Sequence, residues 1–205
     1  MTVLARWLID YFLPSSQQTE EEQVVLIETA LANKEPMEKI NTKGWIAVLT
    51  YSRCPNVVIK ICDPKRAEIA DWMRGIIEDN SLNLLHVPRK WVFSKGVIAE
   101  KQDLYFETTT KIFSQMTAEE RRPYIAQFWT FVKLTGFADI RDNVALEKKA
   151  EGVARLVIFD TGSGCINKDT ASTNFFSQAP FNHTEMLCVV REERGRRDSN
   201  SQLPA

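Results

Sequence analysis

Residues 134–164, LTGFADIRDNVALEKKAEGVARLVIFDTGSG, alternate hydrophobic runs with short polar turns. The run RLVIF at 155–159 predicts a buried strand, and the Asp-Thr-Gly that begins at Asp160 predicts the turn that ends it. A carboxylate at a strand end, followed by glycine, is exposed in a defined direction, which suits metal binding or acid–base chemistry. Asp139 and Asn143 precede the partner strand, so the stretch carries two carboxylates and an amide on short loops.

Composition and charge limit the class of protein. The chain has 205 residues, of which 44% are hydrophobic and 26% charged, as in a globular protein with one domain or two small lobes. A net charge of −1 gives no electrostatic case for a nucleic-acid partner. No apolar run approaches the roughly 20 residues that span a bilayer, so we expect no transmembrane segment. Residues 1–16 predict a short amphipathic helix.

The cysteines indicate the compartment. Four cysteines without metal-ligand spacing, accompanied by only two histidines, argue against a zinc site. Sparse, scattered cysteines are more typical of a reducing environment than of a secreted disulfide framework, so we expect a cytoplasmic protein.

The first half of the chain predicts strands around one helix. Residues 45–51 and 56–62 are rich in strand-forming residues and predict an antiparallel hairpin. Asp63 and Pro64 then predict the start of a helix, and two further strands follow at 87–93 and 97–100. We therefore expect a small β-rich lobe over 41–104, preceded by an N-terminal helical extension over 1–40.

The second half predicts mostly helix. The sequence Thr-Ala-Glu-Glu at 117–120 is a capping box, and Gly136 ends the helix that follows. Residues 167–183 give no clear signal, and the charged and polar residues 191–205 predict a disordered tail. Few residues follow Gly164, so we expect an abbreviated helical lobe over 105–190.

The order of these pieces resembles the protein-kinase-like fold, which small-molecule kinases share. The run VVIKI around Lys60 is similar to the strand that carries the ATP-phosphate lysine, and residues 97–104 resemble the strand and hinge over which adenine sits. Residues 136–146 look like the catalytic loop, and 156–162 look like the strand and turn with the metal-binding aspartate. The resemblance implies an α+β, two-lobed kinase-like fold with a small antiparallel sheet lobe.

The resemblance also implies cofactors, namely ATP and Mg²⁺, and roles for residues of the small lobe. Lys60 would hold the ATP phosphates, and Glu68 or Glu78 of the following helix would orient it. Glu100 would lie at the adenine-binding segment.

In the large lobe the resemblance implies a catalytic base and two metal ligands. Asp139 would accept the proton of a substrate hydroxyl, on a protein or a small molecule. Asn143 and Asp160 would hold Mg²⁺, a hard ion that prefers oxygen ligands. The expected activity is transfer of the ATP γ-phosphate to that hydroxyl.

Two departures leave alternatives open. No glycine-rich phosphate loop precedes Lys60, and the spacing from Asp139 to Asn143 is one residue shorter than usual, which would move an extended chain by about 3 Å. Asp142 could take one of their two roles, which are catalytic base and metal ligand. The alternatives are a catalytically inactive pseudokinase or interaction protein, and a dimeric aspartic protease that uses the Asp-Thr-Gly at 160–162.

Overall fold

The computed structural model describes residues 18–40, 46–105, 108–148 and 154–200, with side chains described up to residue 193. The amphipathic helix predicted at 1–16 lies outside these ranges. The chain divides into two compact units, one from Met1–Glu68 and Arg89–Lys101, the other from Ile69–Pro88 and Gln102–Ala205. Helices and strands occur in both, so the predicted α+β class is confirmed.

A five-stranded antiparallel sheet in the order β1-β2-β3-β6-β5 forms the first unit together with helix α1. The bounds are α1 Glu20–Ala32, β1 Glu38–Lys39, β2 Ala47–Tyr51, β3 Cys54–Ile61, β5 Lys90–Phe93 and β6 Gly96–Glu100. The predicted hairpin is confirmed, because β2 and β3 pair antiparallel with Leu49 opposite Ile59. The Thr19 hydroxyl and the Glu22 carboxylate cap α1 reciprocally, as their spacing requires.

The core of the first unit lies on one face of this sheet. Side chains alternate between faces along a strand. Ile59 and its partner Ile98 pack with Ile27 and Ala30 of α1, and all four are fully buried. Lys60 and its partner Val97 therefore lie on the opposite face.

Helix α2, Lys65–Asp79, follows β3 directly. The Asp63 carboxylate accepts a hydrogen bond from the Lys65 amide at 3.0 Å, so the predicted cap is confirmed. The helix begins in the first unit and continues in the second, where Ala70 and Met73 join the core.

The second unit contains a four-stranded sheet in the order β4-β9-β8-β7 and the remaining helices. The bounds are β4 Leu85–His86, β7 Leu104–Tyr105, α3 Thr109–Gln115, α4 Ala118–Thr135, β8 Val144–Glu147, β9 Leu156–Ile158, α5 Lys168–Gln178 and α6 His183–Asn200. Strand β4 pairs parallel to β9, and the other two pairs are antiparallel. Buried aromatic residues of α4 and α5 meet at the centre of the core, with Phe128 and Phe175 fully buried.

Three predicted boundaries need correction. Residues 18–40 are not a separate extension, because α1 packs on the sheet and β1 pairs with β2. The small lobe predicted over 41–104 loses 69–88 and 102–104 to the second unit. The tail predicted to be disordered from residue 191 is instead helical to Asn200, and Glu193 of this segment forms an ion pair with Lys133 of α4 at 3.2 Å. Residues 201–205 lie outside the described ranges.

Candidate functional site

The hairpin of β8 and β9 brings two of the predicted site segments together. Val144 pairs with Ile158, so the loop before β8 and the turn after β9 leave the hairpin at the same end. The Phe159 amide donates a hydrogen bond to the carbonyl oxygen of Asn143 at 3.1 Å. Asn143 and Asp160 therefore lie at one end of the hairpin.

Asp139 lies on the loop between α4 and β8. Its side chain is exposed, whereas its neighbours Ala138 and Ile140 are buried and anchor the loop. The Ala138 amide donates to the carbonyl oxygen of Cys165 at 2.8 Å. The Cys165 thiol lies 3.7 Å from the Asp139 carboxylate and donates a weak hydrogen bond to it.

Asn143 connects to Asp139 through its side chain. Its Nδ2 donates to the carbonyl oxygen of Asp139 at 3.0 Å, and its backbone amide donates to the carbonyl oxygen of Ile140 at 3.3 Å. Because the nitrogen of the side-chain amide is occupied in this way, Oδ1 remains as the ligand atom that this side chain can offer.

The turn after β9 folds back towards the loop. Asp160 is half-buried, and Thr161 after it is fully buried. A short 3-10 helix, Ser163–Cys165, follows and carries Cys165 to Asp139. The structure thus brings together the segments of Asp139, Asn143 and Asp160 within the second unit.

The donor set at this end of the hairpin fits Mg²⁺. One amide oxygen and one carboxylate are hard oxygen ligands, and Mg²⁺ commonly binds through one or two protein groups, water and substrate phosphates. Among the described residues, no group of three His, Cys, Asp or Glu side chains could hold a metal. A cation here would therefore depend on Asn143, Asp160 and a bound phosphate rather than on a complete protein cage.

Lys60 and Glu100 lie in the first unit, on opposite faces of the sheet. Lys60 lies opposite Val97, whereas Glu100 lies opposite the core residue Val57. The Glu100 carboxylate accepts a hydrogen bond from the Arg89 amide at 3.1 Å. A direct role of both side chains at one ligand is therefore disfavoured.

The two glutamates predicted to orient Lys60 lie at opposite ends of α2. Glu68 is exposed in the first turn, and Glu78 is exposed near the last residue. Glu68 belongs to the first unit with Lys60, whereas Glu78 belongs to the second.

Basic side chains of the first unit, Lys60 among them, lie close enough to the Cys62 thiol to affect it. Burial raises the pKa of the Cys62 thiol, and the charges of Arg66, Lys60 and Lys90 oppose that rise. Lys90 is only 5% exposed and lies opposite Ala99, on the same sheet face as Lys60. Lys90 was not among the predicted site residues, and its one signal in the sequence is a lysine that begins a hydrophobic strand.

Comparison with protein-family models gave no match, and comparison with curated proteins gave no relative. Among the described residues, no helix has both the length and the apolar character that crossing a membrane requires.

Proposed function

We propose that this chain is a kinase-like protein that binds ATP together with Mg²⁺ and transfers the γ-phosphate to a hydroxyl group. One observation carries the proposal, namely the convergence of Asp139, Asn143 and Asp160 at one end of the β8–β9 hairpin. Phosphoryl transfer needs charge neutralisation and positioning more than covalent chemistry, and a base beside two metal ligands suits those needs.

Each residue has a distinct role in this proposal. Asn143 Oδ1 and the Asp160 carboxylate coordinate Mg²⁺, and Asp139 accepts the proton of the acceptor hydroxyl. The exposure of Asp139 is consistent with access for a substrate. Lys60 belongs to the first unit, so its role as a ligand of the phosphates remains a prediction from the resemblance alone.

One observation bears on the protease alternative. The residues after the Asp-Thr-Gly turn form helices α5 and α6, whereas the protease alternative requires a β-hairpin flap after its aspartate. The other alternative, a catalytically inactive pseudokinase or interaction protein, has no turnover and does not require ATP binding.

The first experiment measures ligand-dependent stability of the full chain. A ligand that binds only the folded state at 100 times its Kd stabilises by about 2.7 kcal/mol, which raises the melting temperature of a protein of this size by roughly 5–11 °C. We expect this shift with ATP and MgCl₂ for the wild type, and a much smaller shift for Asp160→Asn. Asp79→Asn, which changes an exposed aspartate at the end of α2, is the matched control and should behave as the wild type.

Absence of a shift in folded wild-type protein would refute nucleotide binding. Turnover of ATP then separates the kinase from the pseudokinase. Asp139→Asn should keep the thermal shift and lower turnover by roughly 10²–10⁴-fold, the usual contribution of a general base. Folded wild-type protein that binds no ATP, or that binds ATP without any turnover, would leave the inactive pseudokinase or interaction protein, and casein cleavage blocked by a statine-type inhibitor would support the protease.

A further inference from the structure

Helix α5 packs against the rest of the second unit through a stripe of side chains that includes two amides. Ala171 and Phe175 on this stripe are buried. Asn174 and Gln178 lie three and seven residues after Ala171, which places them on the same side of the helix, and both are partly buried. A packing stripe normally consists of apolar residues, so these two amides need an explanation.

Both amides bind the backbone of the loop that carries Asp139. Asn174 Nδ2 donates to the carbonyl oxygen of Ala138 at 2.8 Å. Gln178 Oε1 accepts from the amide of Arg141 at 3.3 Å. One bond lies immediately before Asp139, and the other lies two residues after it.

Two further polar groups of the loop form hydrogen bonds with its other neighbours. The carbonyl oxygen of Asp139 accepts from Asn143 Nδ2, and the amide of Ala138 donates to Cys165. The backbone on both sides of Asp139 is therefore held from three directions, by α5, by the metal-ligand candidate Asn143 and by the turn at Cys165.

We propose that Asn174 and Gln178 are positioning residues, which fix the backbone around Asp139 and so set the direction of its carboxylate during phosphotransfer. This inference rests on the proposed function. The two residues touch neither the acceptor hydroxyl nor the phosphate in this scheme, and they act through the loop. Misplacement of a catalytic group by about 1 Å can lower a rate on the order of 100-fold, so such a support has a measurable effect.

The two bonds have opposite polarity, which allows a charge-matched test. Asn174 acts as a donor and Gln178 as an acceptor. Asn174→Asp removes the donor and places a carboxylate against the carbonyl oxygen of Ala138. Gln178→Glu adds the same charge one helical turn away but keeps an oxygen that accepts from Arg141. Gln178→Met has a similar length and no acceptor.

The experiment measures kcat and KM for ATP turnover, the Kd of Mg-ATP by calorimetry, and amide hydrogen exchange of residues 139–143. We expect Asn174→Asp and Gln178→Met to lower kcat by roughly 10- to 100-fold, with a much smaller change in Kd and with faster exchange in the loop. Gln178→Glu should remain close to the wild type in all three measurements. If added negative charge alone lowered the rate, this variant would be impaired as well.

The outcomes distinguish this inference from the proposed function. Wild-type rates and wild-type exchange in Asn174→Asp would overturn the inference while Mg-ATP binding stands. An equal loss in Asn174→Asp and Gln178→Glu would also overturn it, because charge alone would then explain the effect. Wild-type protein that binds no Mg-ATP would refute the proposed function, and with it the positioning role in phosphotransfer. The difference in amide hydrogen exchange between the variants and the wild type would still show whether Asn174 and Gln178 hold the loop.

Discussion

Gly96 lies in the first unit at a position where even the methyl group of alanine should destabilise the fold. The residue begins β6, beside the turn from β5. A Cβ atom at this position would lie 2.1 Å from the carbonyl oxygen of Lys60 and 2.8 Å from the amide nitrogen of Cys62. Both atoms belong to backbone, so no side-chain rotation can relieve the contact. Ordinary contact begins near 3.4 Å, so the segment after Lys60 must move by about 1 Å.

The magnitude of the damage follows from these contacts. Overpacking of a well-packed site costs about 1–3 kcal/mol, and loss of one backbone hydrogen bond adds about 0.5–1.5 kcal/mol. We therefore expect Gly96→Ala to lower the free energy of unfolding by about 2–4 kcal/mol, a large fraction of the stability of a typical domain.

A second glycine supplies the matched control. Gly75 lies inside α2, and nothing lies within 4 Å of the Cβ atom that alanine would add there. Gly75→Ala should stabilise the protein by about 0.5–1 kcal/mol, because alanine favours the helix. Urea unfolding curves give both values from the midpoint and the slope. The reasoning is refuted if Gly96→Ala unfolds at the wild-type midpoint, or if Gly75→Ala is the more damaging substitution.

Two further predictions concern the second unit. Gly136 ends α4 with a φ of 72°, so Gly136→Ala should lower the free energy of unfolding in urea by about 1–2 kcal/mol. Gly164→Ala is the control and should cost little, because the space around its added Cβ atom is open. Equal costs for the two variants would contradict the claim that alanine is strained at position 136. The Arg121 guanidinium lowers the pKa of Glu185 through hydrogen bonds, so this pair stabilises the protein above the ordinary glutamate pKa and loses its effect as pH falls through the lowered value. Arg121→Met should therefore lower the melting temperature at pH 7, and the difference should shrink at acidic pH without vanishing, because Arg121 also donates to the carbonyl oxygens of Phe113 and Met116; a difference independent of pH would contradict this linkage.

Local sequence signals predicted the elements that carry their own start and stop residues. The capping box at Thr117 and the glycine at Gly136 bound α4 in the structure as predicted. The hairpin of β2 and β3 contains enough strand-forming residues to be predicted from its local sequence alone. Proline inside a helix removes a backbone hydrogen bond, yet α4 is continuous from Ala118 to Thr135 across Pro123. The proline is exposed in the second helical turn, where one missing hydrogen bond is offset by the buried residues that follow.

The elements that the sequence did not predict depend on partners distant in the chain. Strands β4 and β7 have two residues each, and their pairing with β9 and β8 defines them. Helix α5 is polar, with only Ala171 and Phe175 buried, so its periodicity is weak. The available signal was Asn167, whose side chain caps the helix by accepting from the amides of Asp169 and Thr170. The amides of α5 that bind the Asp139 loop were undetectable without that helix.

The short spacing from Asp139 to Asn143 has a different consequence in the structure from the one expected for an extended chain. Residues 141–143 form a turn, closed by the bond from the Asn143 amide to the carbonyl oxygen of Ile140. In a turn, a missing residue is absorbed by tighter closure, and the strand that follows need not be displaced. The Asn143 side chain binds Asp139 from the end of this turn, while Phe159 fixes its backbone to the segment of Asp160. The turn therefore does not separate the candidate base from the candidate metal ligands, and the contacts from α5, Asn143 and Cys165 together hold the backbone around Asp139.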